Sequence, residues 1–170
     1  MSVKHFVHDP TCLVTSSLRS LTRSNPSLAF DEKNKVVFLR SGSKPQVQLV
    51  SGGGSGHKPS FGGLVGYDFL SAAVAGSIFA SPSAEQVHRC ISRRIDASQG
   101  ILVLVMNYTC DGLHFGMAVE KAKASGLNVK MVVIGDDVGV GRSKNGRIGR
   151  RGIAGTMLVQ KIAGACAAAG

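Results

Sequence analysis

The chain has 170 residues, 44% of them hydrophobic, enough for one domain with a sizeable core, which excludes global disorder. Twenty basic against ten acidic residues leave a net charge of +10, which favours acidic partners without choosing among nucleic acid, anionic membrane and phosphorylated metabolites. Four cysteines in no C-x-x-C pair point to a reducing, cytoplasmic compartment, and no apolar run reaches the ~18 residues of a membrane span.

Asp9 and Pro10 open a predicted amphipathic helix with Leu13, Val14, Leu18 and Leu21 on one face, stopped at Asn25 and Pro26. Val36 to Leu39 and Val47 to Val50 read as short strands separated by the turn-prone Ser41 to Pro45, hence as a hairpin or paired edge. The second strand runs into Ser51-Gly52-Gly53-Gly54-Ser55-Gly56-His57, after which a small-residue helix is expected around Phe69 to Val74, leading to Ile78-Phe79-Ala80. Ser83 and Gln86 have capping-box spacing, and Val87, Cys90 and Ile91 supply the apolar face of the helix behind it. Ile101 to Met106 is apolar on both faces, as in a central strand covered by helices on each side. Asp111 can cap the next helix, which carries Phe115, Ala118 and Val119 and ends at Gly126, and Val129 to Ile134 follows as another buried strand. Glycine and basic residues fill 135 to 152, and a helix with Leu158, Ile162 and many alanines closes the chain from Ile153 to Ala169. The expected architecture is α/β, a layered sheet with helices on both faces, forming a single unit over residues 1–170 with no repeat or linker.

Ligands of open α/β sheets sit where strands end and helices begin, and two such places carry unusual chemistry. Glycines in Gly52-Gly53-Gly54-Ser55-Gly56 expose backbone N–H groups that a Cβ would screen, so a small polar ligand can approach the main chain. His57 follows directly, and imidazole changes protonation near physiological pH, which suits a proton acceptor. The second place is Met106-Asn107-Tyr108-Thr109-Cys110-Asp111, where Asp111 can be a helix cap or the holder of a substrate hydroxyl. Neither a phosphate loop nor a dinucleotide fingerprint fits, because Gly56-His57-Lys58 stands where Gly-Lys-Ser/Thr is needed and the third glycine of the fingerprint is missing. A hydrolase elbow would need glycine where His57 stands. Cys110 reads as a small packed residue without a catalytic role. His5, His8 and Cys12, His88 and Cys90, and Cys110 and His114 lack the paired spacing of a zinc site, so no metal ligand is assigned. The basic run Arg142, Lys144, Arg147, Arg150 and Arg151 has no interleaved aromatics for base stacking, so neither nucleic acid nor membrane is expected as a partner.

Taken together, Leu49 through His57, Phe79-Ala80-Ser81-Pro82, Asn107-Tyr108-Thr109 with Asp111, Val133 through Asp137, and Gly149 through Thr156 resemble the dihydroxyacetone kinase (glycerone kinase) family over essentially the entire chain. The resemblance implies the first half of that family's substrate-binding domain. ATP and magnesium then belong to a separate helical domain or subunit, so no cofactor site is expected here, and neither the second half nor the ATP-binding domain is expected within residues 1–170. It implies an ATP-dependent phosphotransferase acting on a triose, dihydroxyacetone first and glyceraldehyde as the alternative. Gly54, Ser55, Gly56, His57 and Asp111 match the family's substrate-binding positions, with His57 as proton acceptor and so the catalytic residue. Met106 stands where the family has lysine, Cys110 where it has glycine and Lys58 where it has glutamate. The family histidine that bonds covalently to the substrate carbonyl lies in the second half, and no histidine here matches it. The 170-residue chain is therefore expected to be silent as a kinase by itself, and the alternative is a binding module, as an inactive fragment or divergent paralogue. Its apolar final helix is expected to be under-covered and to drive homo-oligomer formation.

Overall fold

Capping signals and apolar spacing divide the chain into helices and strands that alternate from the glycine loop onward. The structure, a computed structural model, describes residues 9–40, 45–57, 59–141 and 149–170. The elements are α1 (Leu13–Ser24), β1 (Leu28–Asp31), β2 (Val36–Leu39), β3 (Gln48–Gly53), β4 (Ala72–Ala75), α2 (Ala84–Arg93), β5 (Ile101–Met106), α3 (Thr109–Ala124), β6 (Val129–Ile134) and α4 (Gly155–Ala169), with short 3-10 turns at Pro10–Cys12 and Gly62–Leu64. None of the described helices is long and apolar enough to cross a membrane.

The strands form one mixed sheet in the order β1-β2-β4-β3-β5-β6. β1, β2 and β4 pair antiparallel, while β4, β3, β5 and β6 run parallel, with Val50 facing both Ala72 and Val103 in register. Successive residues of a strand point to opposite faces, so β5 serves two cores. Ile101, Val103 and Val105 pack under α2 and α3 with Val87, Ile91 and Phe115. Leu102, Leu104 and Met106 face the other way, toward α1, the Gly62–Leu64 turn and α4. Helices thus cover both faces of the sheet. The chain leaves β3 for β4 on one side and returns in β5 on the other, which opens a crevice at the C-terminal ends of β3 and β5.

Several local expectations hold. Ser83 and Gln86 form the reciprocal capping box at the start of α2, and Val87, Cys90 and Ile91 are fully buried behind it. Asp9 caps the first turn as expected, although Leu13 lies on the exposed side of α1.

Others are corrected. β2 and β3 do not form a hairpin, because β4 inserts between them. The segment expected as a helix around Phe69 to Val74 contains β4 instead. Its alanines are buried between two strands, and Gly52 of β3 lies so close that an added Cβ would run into the Val74 carbonyl oxygen. Burial in the sheet outweighs the helix preference of alanine. Ile78-Phe79-Ala80 is a loop closed by a bridge between Ser77 and Ala80, with Phe79 exposed. β6 is an edge strand whose Val132 and Val133 are exposed, since α4 packs over β3 and β5. Asp111 does not cap α3 either: Tyr108 takes the cap position and Asp111 sits in the first turn. The basic residues Arg142, Lys144 and Arg147, together with His5, His8 and Lys58, lie outside the described residues.

Candidate functional site

Three loops meet at the crevice: the glycine loop after β3, the 77–82 segment after β4, and the residues between β5 and α3. Main-chain hydrogen bonds hold the first two together. Ser55 N donates to the Ser77 carbonyl at 2.7 Å, and Gly76 N donates to the Gly53 carbonyl at 2.9 Å, so the first two loops are laced together. The Ser55 hydroxyl adds a bond to the Gly76 carbonyl at 3.0 Å. Gly56 is needed here for space, because a Cβ would sit 2.8 Å from the Ile78 carbonyl oxygen.

One cavity, of about 400 Å3, is lined by Gly54, His57, Phe79, Ser81, Cys110, Asp111 and Arg151, together with Tyr108 and Thr109. Asp111 is only 8% exposed, and its Oδ1 has no hydrogen-bond partner among the described residues. Burial pushes this carboxyl above the ordinary carboxylate range, while a hydrogen bond from Ser81 and the nearness of His57 and His114 pull the other way. An unpartnered carboxylate oxygen beside an open cavity is an acceptor awaiting a donor, as a substrate hydroxyl would supply. His57 is exposed on the same wall, its ring 6.3 Å from that of Tyr108.

The expected site residues are distributed in a definite way. Gly54, His57 and Asp111 line this cavity. Ser55 and Gly56 shape the loop: the Ser55 hydroxyl is buried against Gly76, and Gly56 lies against the Ile78 carbonyl. Met106 lines a neighbouring cavity, of about 330 Å3, that shares only His57 and Tyr108 with the first. Cys110 is exposed on the wall of the first cavity rather than packed in the core.

Sequence reasoning missed the groups that come from elsewhere in the chain. Ser81 bonds Asp111, and its only sequence signal was membership of the Phe79-to-Pro82 segment. Arg151, one of the basic run, stacks its guanidinium 5.1 Å from the Tyr108 ring centre and reaches the Asn107 carbonyl at 3.5 Å. Arg150 is held by the Val140 carbonyl at 2.7 Å. Arg151 therefore braces the cavity's rim, while the Arg150 carbonyl accepts from Asn107 Nδ2 at 2.6 Å behind it. The Asp136 carboxylate accepts from Ile153 N and Gly155 N, each at 2.6 Å, and so fixes the start of α4 beside the second cavity. On the helix itself, Gln160 is fully buried and donates to the Ser51 hydroxyl at 2.8 Å, which donates to the Leu104 carbonyl at 2.6 Å, tying α4 to β3 and β5.

With this geometry in view, comparison with known proteins gives a consistent result. Residues 19–170 match the Dak1 domain. Dihydroxyacetone kinase 2 of Saccharomyces cerevisiae is 49% identical over 175 residues, covering 100% of this chain and 29% of that relative. The dihydroxyacetone-binding subunit of a PTS-dependent dihydroxyacetone kinase of Listeria innocua is 40% identical, covering 99% of this chain and 51% of the subunit. Among solved structures, the native dihydroxyacetone kinase of C. freundii superposes with a TM-score of 0.87 at 41% identity, over 98% of this chain and 31% of that one. The 170 residues thus span about a third to a half of the length of these relatives.

Proposed function

The chain belongs to the Dak1 domain family, and from that premise we propose that it is part of the substrate-binding domain of a dihydroxyacetone kinase, with the crevice at the ends of β3 and β5 holding the triose. The observation that carries this reading is the buried, unpartnered Oδ1 of Asp111 in a cavity that also presents His57 and the Gly54 backbone. Asp111 accepts a hydrogen bond from one substrate hydroxyl and so orients the triose. His57 takes the proton of the other hydroxyl as its oxygen attacks the γ-phosphorus of ATP, and ADP leaves. Ser55 and Gly56 act by holding the loop in shape, and Tyr108 with Arg151 closes the cavity's rim.

The glycine loop is not a phosphate cradle: the Ser55 N–H is already bonded to Ser77, and the Asp111 carboxylate lines the same cavity. ATP and magnesium are accordingly assigned to a separate domain or subunit, and a protein of these 170 residues alone is expected to bind without turning over. A second reading, a binding module that never turns over, is favoured by Met106, whose thioether donates no hydrogen bond.

Calorimetric titration with dihydroxyacetone tests the site, followed by assay with ATP, magnesium and an ATP-binding subunit of the family. Saturable binding is expected in the parent, and Asp111→Asn should weaken it about 10- to 100-fold, the range for a hydrogen bond to a charged group. His57→Ala should leave most of the affinity and abolish any turnover that the added subunit elicits. Binding that is indifferent to Asp111→Asn would refute the site, and phosphorylation by the 170 residues alone would refute the division of labour. Binding with no turnover in the full mixture selects the binding module.

A further inference from the structure

Asp137 is the last acidic residue of the chain, and Arg142, Lys144, Arg147, Arg150 and Arg151 follow it. Arg150 is engaged with the Val140 carbonyl at 2.7 Å, whereas Arg151 lines the first cavity. The Arg151 guanidinium lies 5.1 Å from the centre of the Tyr108 ring, and the His57 ring lies 6.3 Å from the same ring, so guanidinium and imidazole flank one aromatic side chain. Among the described residues no carboxylate forms an ion pair with Arg151, and its side-chain hydrogen bond to the Asn107 carbonyl is long, at 3.5 Å. Most of the five donors of this guanidinium are thus uncommitted. Asp111, the one carboxylate on the wall among the described residues, is buried, whereas Arg151 is half-buried. The cavity has an acceptor at its floor and an uncompensated cation at its rim.

We propose that Arg151 is a catalytic residue, whose guanidinium binds the phosphoryl group as it reaches the hydroxyl deprotonated by His57 and then holds the phosphate monoester that results. The inference rests on the reading of the first cavity as a triose site and adds to it the group that meets the phosphate. As the hydroxyl proton passes to His57, the bond from oxygen to phosphorus forms and the bond from phosphorus to the leaving diphosphate breaks, the electron pair staying with the diphosphate. Arg151 takes part in no covalent step. Phosphoryl transfer spreads negative charge over three oxygens of the moving group, and a guanidinium offers parallel N–H donors and a permanent charge to two of them. Because Arg151 and Asp111 line one cavity without pairing, each keeps its charge for a different part of the ligand, the carboxylate for a hydroxyl and the guanidinium for the phosphate.

Dihydroxyacetone phosphate separates this role from that of a brace, because it differs from dihydroxyacetone only in the phosphate. Both are titrated calorimetrically into the full chain and into Arg151→Gln, Arg151→Lys and Arg150→Gln, and the side-chain Nε–H signal of Arg151, identified by its loss in Arg151→Lys, is followed by NMR in the parent. The parent should bind both ligands. Arg151→Gln should weaken the ester about 10- to 100-fold, the range for a hydrogen bond to a charged group, and dihydroxyacetone less than about threefold. Arg151→Lys should recover part of the loss, and Arg150→Gln should change neither affinity. The Arg151 signal should move with the ester and stay in place with dihydroxyacetone, a readout in the parent that serves even where Arg151→Gln fails to fold. Equal losses for the two ligands would reduce Arg151 to a brace and overturn the inference. An ester affinity indifferent to Arg151→Gln, or one that falls as far in Arg150→Gln, would overturn it as well, as would an Arg151 signal that the ester leaves in place. Dihydroxyacetone bound through Asp111 alongside any of these results leaves the triose reading intact. A parent that binds no dihydroxyacetone would overturn the triose reading and the inference together.

Discussion

Asp111 shows how far a residue's role can be read before its neighbours are known. Its place directly after an apolar strand marks it as a helix cap or a ligand-binding carboxylate, and the sequence leaves both open. The structure removes the first, with Tyr108 in the cap position and Ser81 arriving from another loop to bond Asp111. His57 and Gly54 were legible because a glycine loop after a strand is a local signal, whereas Ser81, Phe79 and the Tyr108–Arg151 stack depend on loops that only the fold brings together. Asp111 also carries a thermodynamic consequence. A carboxyl whose folded pKa is raised by burial binds its proton more tightly in the folded state, so its ionised form costs stability above that pKa, and the cost vanishes as pH falls through the ordinary carboxylate range. Asp111→Asn should therefore melt higher than the parent at neutral pH, with the gap closing on acidification. A variant that melts lower at neutral pH would contradict the desolvated carboxylate.

The elements were legible where one signal acted alone. The α2 capping box and the doubly apolar β5 are fixed by their own residues, and both form as expected. β4 was not legible, since Ala72, Ala73 and Ala75 prefer a helix and become a strand only because β2 and β3 leave a narrow slot between them. The start of α4, expected at Ile153, falls at Gly155, and only its capping group was hidden, because Asp136 lies far from it in sequence. Two backbone N–H groups on one carboxylate, at the positive end of a helix dipole, make a charge-assisted pair. Asp136→Ala should lower stability by about 1 to 3 kcal/mol in urea unfolding, whereas Ser83→Ala, which removes the cap of an exposed turn, should cost about 1 kcal/mol. An Asp136→Ala loss within a few tenths of a kcal/mol would mean that the start of α4 is held by other contacts.

At the scale of the molecule, a sheet covered on both faces and a crevice at its parallel ends were foreseeable from the alternation of strands and helices, and so was the under-covered last helix, whose Leu158 and Ile162 turn outward at 68% and 64% exposure. Val132 and Val133 of the edge strand, expected to be buried, are open as well. The inward face of α4 is instead made of Val159, Ala163 and Gln160, so the large apolar residues are left over. Self-association through this face is expected in a protein of these 170 residues, and Leu158→Lys with Ile162→Lys should shift sedimentation toward the monomer; a parent that is already monomeric at high concentration would contradict it. The central claim, that the crevice at the ends of β3 and β5 binds dihydroxyacetone, has internal probes in the cysteines. Cys110 lines the crevice, Cys12 and Cys166 are exposed away from it, and Cys90 is buried with its thiol pushed up to about 12. Dihydroxyacetone should slow iodoacetamide alkylation of Cys110 in a saturable way while leaving Cys12 and Cys166 unchanged and Cys90 unreactive. Alkylation of Cys110 at the same rate with and without a saturating ligand would contradict the account.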